Sequence, residues 1–376
     1  MEGYSFQKVY SLTPHSPLIH FQWDIDGATL RATEVKPKLD RYIFKHRKDI
    51  PEEWIRNDVN GKVSLDYKMR IVATENNDTI QLGRNTPYDI YYGNMGDNAQ
   101  VKKGVMNKAK LTISCFHEKL LDYIDKIIGD FFIVTNFGTM QSKGFGSFTV
   151  DEKDDNNNHD YICDLLKNEY TDKGKCYMFQ SEHGKTFKQI KAVYSLMKSG
   201  INFSRSYHRS MLFEYAHNMK VKGKIVNMGN EKAWMKQKKI SPALNRSGRY
   251  KPQKDTYSRY VRALLGIGET IEYQDNGPKV KVTIKETSGT VERLDSPILF
   301  KVIGDTVYFV GRKPNEEIYG KTFLFSSKMG RGRLKVPDKS ELPPNFMNEF
   351  MTYSFKELKN CKRDFRDIAN IILREV

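Results

Sequence analysis

The chain has 376 residues, of which 39% are hydrophobic, and its 62 Lys and Arg against 46 Asp and Glu give a formal net charge of +16. This length and apolar content predict a folded protein of about two domains and exclude a charged, disordered chain. The positive charge indicates an anionic partner, and we expect that partner to be nucleic acid.

The cysteines and the apolar segments predict a cytoplasmic protein without a cofactor. The four cysteines are scattered, with no CxxC or Cys/His spacing suited to zinc, so we expect no metal site. No segment approaches the ~20 apolar residues of a membrane span, and the first residues lack the pattern of a secretion signal. We therefore expect no membrane association.

The first 150 residues carry apolar patterns that predict one domain. We predict, in chain order, a strand at 18–23, a helix at 28–43, strands at 63–72 and 109–116, a helix at 120–132, a glycine-rich turn, and a strand at 147–150. Pro37 predicts a break in the first helix near Lys36. The resulting βαββαβ order is that of a ferredoxin-like (RRM-like) fold in the α+β class.

The glycine-rich turn is the strongest candidate for a phosphate-binding loop. Glycines let the backbone approach a ligand closely, and lysine and serine side chains favour a phosphate. The alternative is a tight connection without a ligand, which glycines before a strand often make. On the first interpretation, the RNA-binding residues of the turn are Gly138, Ser142, Lys143, Gly144, Phe145, Gly146 and Ser147.

The rest of the chain predicts an acidic linker over residues 151–174 and a second domain over residues 175–376. Apolar patterns predict, in chain order, a strand at 175–179, a helix at 187–197, strands at 270–273, 280–284, 298–303, 307–310 and 322–325, and a closing helix at 346–373. A second glycine turn follows the last of these strands. Its candidate RNA-binding residues are Lys328, Gly330, Arg331, Gly332 and Arg333.

Residues 201–262 form a basic insert, which we expect to be largely helical. It contains fifteen Lys or Arg against three acids, a local net charge of +12, with eight aromatic residues among them. Basic residues bind phosphates and aromatic rings stack on bases, so this mixture suits single-stranded RNA, with Arg205 and Arg209 as candidates. Aromatic residues of an ordinary core are the alternative.

Five cations near the first predicted helix are a further candidate phosphate track, and the first four of them are candidate RNA-binding residues: Arg31, Lys36, Lys38, Arg41 and Lys45. A solvated helix face with i,i+4 ion pairs such as Glu34 to Lys38 is the better explanation for any single one of them, so the prediction concerns the group.

The run of residues 142–148, Ser-Lys-Gly-Phe-Gly-Ser-Phe, resembles the G-loop of the RAMP superfamily of CRISPR-associated proteins. Residues 12–18 and 27–31 are similar to the opening of that superfamily, and residues 296–300 with the second glycine turn extend the resemblance more loosely. Two such units in one chain most resemble the two-domain backbone subunit of type III-B (Cmr) effector complexes. The resemblance implies two ferredoxin-like domains that bind guide RNA (crRNA), with neighbouring backbone subunits and target RNA as further partners.

Candidate catalytic residues are few. Asp24 and Asp26 follow the first predicted strand, and the resemblance implies a catalytic role there, because cleaving RAMP backbone subunits carry an aspartate on that loop. Two carboxylates can assist metal-dependent RNA scission, but Asp-x-Asp-Gly is ordinary turn chemistry, which is the interpretation we favour. Four histidines are candidates for metal-free acid/base cleavage: His15, His20, His46 and His208. Of these, His208 has the most suitable neighbours, the cations Arg205 and Arg209. We expect a non-catalytic guide-RNA-binding subunit. A precursor-processing endoribonuclease of the same superfamily and a generic single-stranded nucleic-acid-binding protein are the alternatives.

Overall fold

The structure is a computed structural model. It describes residues 6–20, 28–57, 63–74, 79–83, 86–88, 102–153, 158–202, 207–241, 257–268, 270–273, 280–291 and 294–376. Among the described residues no helix is both long enough and apolar enough to cross a membrane.

The first half contains eight strands and three helices in the described residues. They are β1 (Gln7–Pro14), α1 (Ala32–His46), β2 (Ile55–Asn57), β3 (Val63–Leu65), β4 (Lys68–Ala73), β5 (Thr79–Leu82), β6 (Lys102–Val105), β7 (Ala109–Ser114), α2 (Glu118–Val134), β8 (Phe148–Val150) and α3 (His159–Tyr170).

The second half continues with smaller strands and four helices in the described residues. They are β9 (Cys176–Gln180), α4 (Thr186–Lys198), β10 (Ile201–Asn202), β11 (Tyr207–His208), α5 (Met211–Asn218), β12 (Lys220–Val221), β13 (Lys224–Ile225), β14 (Gly229–Asn230), α6 (Glu231–Gln237), β15 (Ser258–Arg259), β16 (Thr270–Tyr273), β17 (Val280–Glu286), β18 (Ile298–Ile303), β19 (Thr306–Gly311), β20 (Thr322–Ser326), β21 (Arg331–Lys335), α7 (Phe346–Cys361) and β22 (Ile372–Glu375).

The N-terminal sheet has the antiparallel strand order β4-β7-β1-β8. Its inner face packs against α1 and α2, which contribute Val35, Leu39 and Ile43, and Leu120, Ile124 and Ile128, to one core. The first described strand is residues 7–14, where side chains around Tyr10 and Leu12 alternate between buried and exposed. Of the predicted strand at 18–23, residues 21–23 lie outside the described residues. Leu18 forms only an isolated bridge to Val105.

Two other expectations for this half are corrected. Helix α1 runs through Pro37 without ending, and the ion pairs Lys36–Asp40 and Glu34–Lys38 both span that position. The predicted acidic linker contains α3, which Asn158 caps by accepting a hydrogen bond from the Tyr161 amide. The acidic residues before α3 led to the prediction of a linker, whereas Ile162, Cys163 and Leu166 of α3 form an apolar stripe that is buried.

The C-terminal sheet has the antiparallel order β18-β19-β9-β22, so the elements β9-α4-β18-β19-α7-β22 repeat the strand order of the N-terminal sheet. Its two central strands are buried on both faces: α4 and α7 cover Phe179 and Phe309, whereas α3 covers Met178 and Tyr308. The closing helix ends at Cys361, and the apolar residues beyond it form β22 instead of continuing the helix to residue 373.

A third sheet, with order β16-β17-β20-β21, is added to the second half and is called the accessory sheet below. It packs its inner face on α6 and the segment after β15, through Trp234 and Tyr260 against Phe325. In its described part, the basic insert consists of α5, α6 and short strand pairs, so it is less helical than expected. The mixed α/β class is confirmed.

Candidate nucleic-acid interface

The glycine-rich turn lies between the two halves of the molecule and is bonded to both. Strand β18 passes along it: the Phe300 amide donates to the Ser142 carbonyl (3.1 Å), and the Asn136 side chain donates to the Phe300 carbonyl (2.8 Å). The Ser147 hydroxyl donates to the Val302 carbonyl (2.5 Å). These bonds make the turn a joint between the halves.

The glycines are required by close backbone contacts within this joint. Gly146 has φ +67°, and a Cβ there would lie 1.9 Å from the Phe137 carbonyl oxygen. Gly144 has φ +83°, and a Cβ would meet Val302 at 2.9 Å. The Gly138 amide donates to the Glu34 carboxylate at 2.8 Å, so a protein carboxylate already occupies that donor. The close partners of the turn are the protein's own atoms.

Lys143 does not face solvent. Its ammonium nitrogen is buried, has no hydrogen-bond partner among the described residues, and lies 2.8 Å from the ring centroid of Tyr194. Burial, with Lys198 nearby, lowers its pKa well below the usual value. Phe145 is fully buried against Phe187. The prediction that this turn presents a lysine and a phosphate-binding loop is therefore corrected, because β18 covers the loop.

The candidate track on α1 is largely engaged within the protein. The Lys36 ammonium donates to Asp40 and the Leu65 carbonyl, and the Lys38 ammonium donates to Glu34, the Asn136 carbonyl and Gln141, all within 3.1 Å. Burial lowers the pKa of Lys38. Arg31 is half-buried and Arg41 is exposed. Lys45 is also exposed and forms an ion pair with Glu169 (2.9 Å), which leaves Arg41 as the solvent-facing cation of the track.

The second glycine turn joins β20 to β21 as a hairpin of the accessory sheet. It does not connect the last helix and strand of its unit, as the first glycine turn does, so it is not the topological counterpart of that turn. Gly332 lets the strand approach Trp234, since a Cβ would lie 2.9 Å from the indole ring. Three cations of the hairpin are exposed: Lys328, Arg331 and Arg333.

The outer face of the accessory sheet gathers these arginines with two lysines that sequence reasoning missed. Cross-strand partners lie on the same face: Arg333 pairs with Leu324, which pairs with Lys285. In the next row Arg331, Ser326 and Thr283 are aligned in the same way. We call Lys281, Lys285, Lys328, Arg331 and Arg333 the basic sheet face. The alternation Lys281-Thr283-Lys285 in β17 was the signal for the missed lysines.

The charges of this face are available to a ligand. Its five cations are exposed and make no ion pair or hydrogen bond within the described residues. Lys238 and Lys239 are also exposed, and their carbonyl oxygens would lie 3.7 and 3.3 Å from a Cβ added at Gly330. Glu272, opposite Lys281, adds an acid to this face.

Other cations of the basic insert differ in how they are used. Arg209 forms an ion pair with Glu214 (3.2 Å), Arg262 with buried Glu231 (2.7 Å) and Arg259 with Glu341 (2.8 Å). The three lysines of the hairpin β12–β13 are exposed: Lys220, Lys222 and Lys224. Arg205 lies outside the described residues.

The catalytic candidates are not brought together into a site. His208 packs edge-on against Phe365 at 4.9 Å, His46 bonds to Glu169, and His15 bonds to Thr149 and to the Gly304 amide. Asp24 and Asp26 lie outside the described residues. Within the described part of the chain, no cluster of three or more His, Cys, Asp or Glu is placed to hold a metal ion.

A cavity of about 690 Å³ lies beside α5 and α7. Its Tyr215 hydroxyl donates to Glu349, and the Asn348 amide donates to the Asp172 carbonyl. The residues that line it are Asp172, Lys173, Tyr215, Asn345, Asn348, Glu349, Thr352 and Tyr353. None of the described residues that line it is a histidine or a cysteine.

Comparisons with known proteins assign the family. A solved crystal structure of apo Cmr1 from Pyrococcus furiosus matches with 8% identity and a TM-score of 0.41, covering 98% of both chains. A chain in a cryo-EM structure of a type III-B Cmr-beta complex bound to cognate target RNA matches with 13% identity and a TM-score of 0.27, covering 38% of this chain and 58% of that one. No curated protein sequence matches. The family models for the Cmr1 N-terminal and C-terminal domains match residues 6–201 and 207–375, which confirms the expected resemblance to a Cmr subunit. The chain belongs to the Cmr1 family.

Proposed function

We propose that this protein is a non-catalytic crRNA-binding subunit of a type III-B CRISPR effector ribonucleoprotein, and that its two sheet-and-helix units are ferredoxin-like domains. Membership of the Cmr1 family supports RNA and other Cmr subunits as partners. The observation that carries the RNA-binding part is the basic sheet face. It places five exposed cations, free of carboxylate partners in the described part of the chain, on one sheet and its hairpin.

The composition of this face suits RNA backbone phosphates. Arg331 and Arg333 project from alternate positions of an edge strand, and Ser326 and Thr283 lie in the same row as Arg331 and add hydroxyl groups. Cations supply a salt-dependent affinity that does not depend on sequence, whereas hydroxyls and backbone amides orient a phosphate. The face therefore holds the guide by its backbone and leaves its bases free to pair.

The test is a charge-removal variant with a matched control. Replacing Lys281, Lys285, Arg331 and Arg333 by Gln removes four unpaired cations, and we expect the salt slope of crRNA binding to fall by about 3, at about 0.7 per phosphate contact on a single strand. The control replaces four exposed but ion-paired lysines by Gln: Lys175, Lys188, Lys313 and Lys339. It makes the same change in net charge. Fluorescence anisotropy over a salt series measures both, and equal slopes in the two variants would contradict the proposal.

The guide-RNA assignment is tested separately. The tagged full chain, isolated from its own cells, is expected to carry crRNA together with other Cmr subunits, which sequencing and mass spectrometry detect. Random cellular RNA without crRNA enrichment would favour the generic binder. Discrete cleavage of repeat RNA in EDTA, lost in the His208→Ala variant, would favour the endoribonuclease.

A further inference from the structure

The two topologically similar sheets differ in what covers their second face. Helix α3 covers that face of the C-terminal sheet through Ile162, Cys163 and Leu166. On the N-terminal sheet, the corresponding side chains of β1, β4 and β7 are exposed or half-buried, while their alternates point into the core. The described part of the N-terminal sheet therefore presents an open face to solvent.

The open face is ordered in cross-strand rows, which we call the N-terminal sheet face. The rows, read from β4 through β7 to β1, are Lys68–Ser114–Gln7, Arg70–Thr112–Val9 and Val72–Lys110–Ser11. Each row contains one cation and at least one hydroxyl group. Val9 and Val72 add exposed apolar surface, at 47% and 45% of their full accessibility.

The cations of this face are unpaired, and the acids around it are already engaged. Lys68, Arg70 and Lys110 are exposed and make no ion pair in the described part of the chain. At one corner, both oxygens of Glu152 accept hydrogen bonds from the Ser11 amide, and one of them also accepts from the Ser11 hydroxyl (2.9 Å), so the hydroxyl group of the Lys110 row is engaged. At the other, Asp66 is paired with Arg56 and His117, whose nitrogens lie 3.3 and 3.4 Å from it. The face thus keeps a net positive charge.

An aromatic pair lies at one end of this face, beside the row that contains Lys68. Phe116 lies two residues after the end of β7 and is 82% exposed, and its ring lies 5.4 Å from that of Phe6, which precedes β1. The Cys115 amide donates to the Phe6 carbonyl (3.0 Å), which fixes the two residues beside each other. A phenylalanine exposed to this degree costs hydrophobic free energy unless a partner covers it.

We propose that the N-terminal sheet face is a second binding surface for single-stranded RNA, distinct from the basic sheet face, on which a base stacks on Phe116 while Lys68, Arg70 and Lys110 contact phosphates. Exposed aromatic rings beside cations are the combination that binds single strands without sequence preference. The regular placement of one cation in every row, with the hydroxyl groups of Ser114 and Thr112 beside two of them, favours a phosphate backbone over a protein surface. The inference rests on the proposed function only in requiring that the protein binds RNA.

Photo-crosslinking locates the strand directly. The full chain is irradiated with an oligouridylate of about ten nucleotides that contains 4-thiouridine, a length within the ~4–16 nucleotides that one such surface covers. Mass spectrometry is expected to find a crosslink in the peptide that carries Phe116. That crosslink is expected to disappear when Lys68, Arg70 and Lys110 are replaced by Gln, and to persist in the variant of the basic sheet face.

Fluorescence anisotropy measures the RNA affinity of the Phe116→Ala variant as a second readout. This variant is suitable because so exposed a ring contributes little to folding. We expect the N-terminal surface to bind roughly tenfold more weakly without the ring, as for loss of one stacked base. Ile372→Ala, at another exposed apolar side chain (56%), is the matched control and is expected to bind as the unaltered chain does.

The outcomes separate the two proposals. Crosslinks confined to the basic sheet face would overturn the second surface and leave the proposed function standing. Absence of RNA binding by the unaltered chain would overturn both. If RNA binding is unchanged in the N-terminal variants but their assembly with other Cmr subunits is lost, the face is a protein interface and the inference is wrong.

Discussion

Two lysines show how burial decides the role of a single residue. Lys143, which its glycine-rich surroundings suggested for phosphate binding, is buried over a tyrosine ring. Lys301, in the apolar strand β18, is 1% exposed and donates to the carbonyls of Phe132, Thr135 and Phe148 at 2.7 to 3.3 Å. Its charge lies at the C-terminal end of α2, where the helix dipole and the free carbonyls favour a cation. Lys301 thus links the two halves through hydrogen bonds. No pattern in the sequence indicates this role.

The glycines of the joint allow a sharp test at this scale. Gly146→Ala would place a Cβ 1.9 Å from the Phe137 carbonyl, so the backbone must move, and we expect a loss of at least about 3 kcal/mol in the free energy of unfolding. Gly184→Ala is the control, because Gly184 has a similar φ of +71° but nothing within 4 Å of the added Cβ. It should cost only about 1 kcal/mol for the left-handed backbone. Equal losses in urea unfolding would show that the close contact is not what requires the glycine.

At the scale of elements, the sequence predicted those helices and strands whose position is set by the spacing of their own apolar residues. The helix up to Phe132 and the strands at Ala109 and Ile298 were found because their apolar residues recur at a clear period. The first strand was misplaced because two strand-like segments compete and only pairing with β7 selects Gln7–Pro14. The predicted phosphate-binding loop was wrong because β18 covers the first glycine turn. This contact joins residues more than 150 positions apart, which local patterns do not indicate. The basic hairpin was found because its three cations lie within six residues of the chain.

Helix α3 carries a prediction that separates a packed helix from a linker. Leu166 is 1% exposed in the core between α3 and the C-terminal sheet, so Leu166→Ala removes buried volume and should cost about 2 to 4 kcal/mol. Leu165, its half-buried neighbour, receives the same substitution as the control and should lose less than about 1.5 kcal/mol. Denaturant unfolding measures both. Small and equal losses of unfolding free energy in the two variants would show that residues 159–170 behave as a linker and not as a packed helix.

For the whole molecule, the two halves are held together by buried polar contacts as well as by apolar packing, and one of these contacts is titratable. His15 lies at this junction: one ring nitrogen bonds to the Thr149 hydroxyl (2.8 Å), and the other accepts from the Gly304 amide (3.1 Å). Burial, with Lys301 nearby, lowers the pKa of His15 to about 4. Only the neutral imidazole can accept from the Gly304 amide, so protonation breaks this link between the halves.

The pH dependence of stability follows from that lowered pKa. Because the unfolded chain binds this proton near pH 6.5 and the folded protein only near pH 4, the contribution of His15 is complete above pH 6.5 and is lost as the pH falls toward 4. Between pH 7.5 and pH 5 the loss amounts to about 2 kcal/mol. His15→Gln removes the titration, so its unfolding free energy should fall by about 2 kcal/mol less than that of the unaltered chain over this range, measured by urea unfolding at both pH values. Parallel losses in the two proteins would show that His15 is not kept neutral at the junction, and that other groups carry the acid sensitivity of the assembled halves.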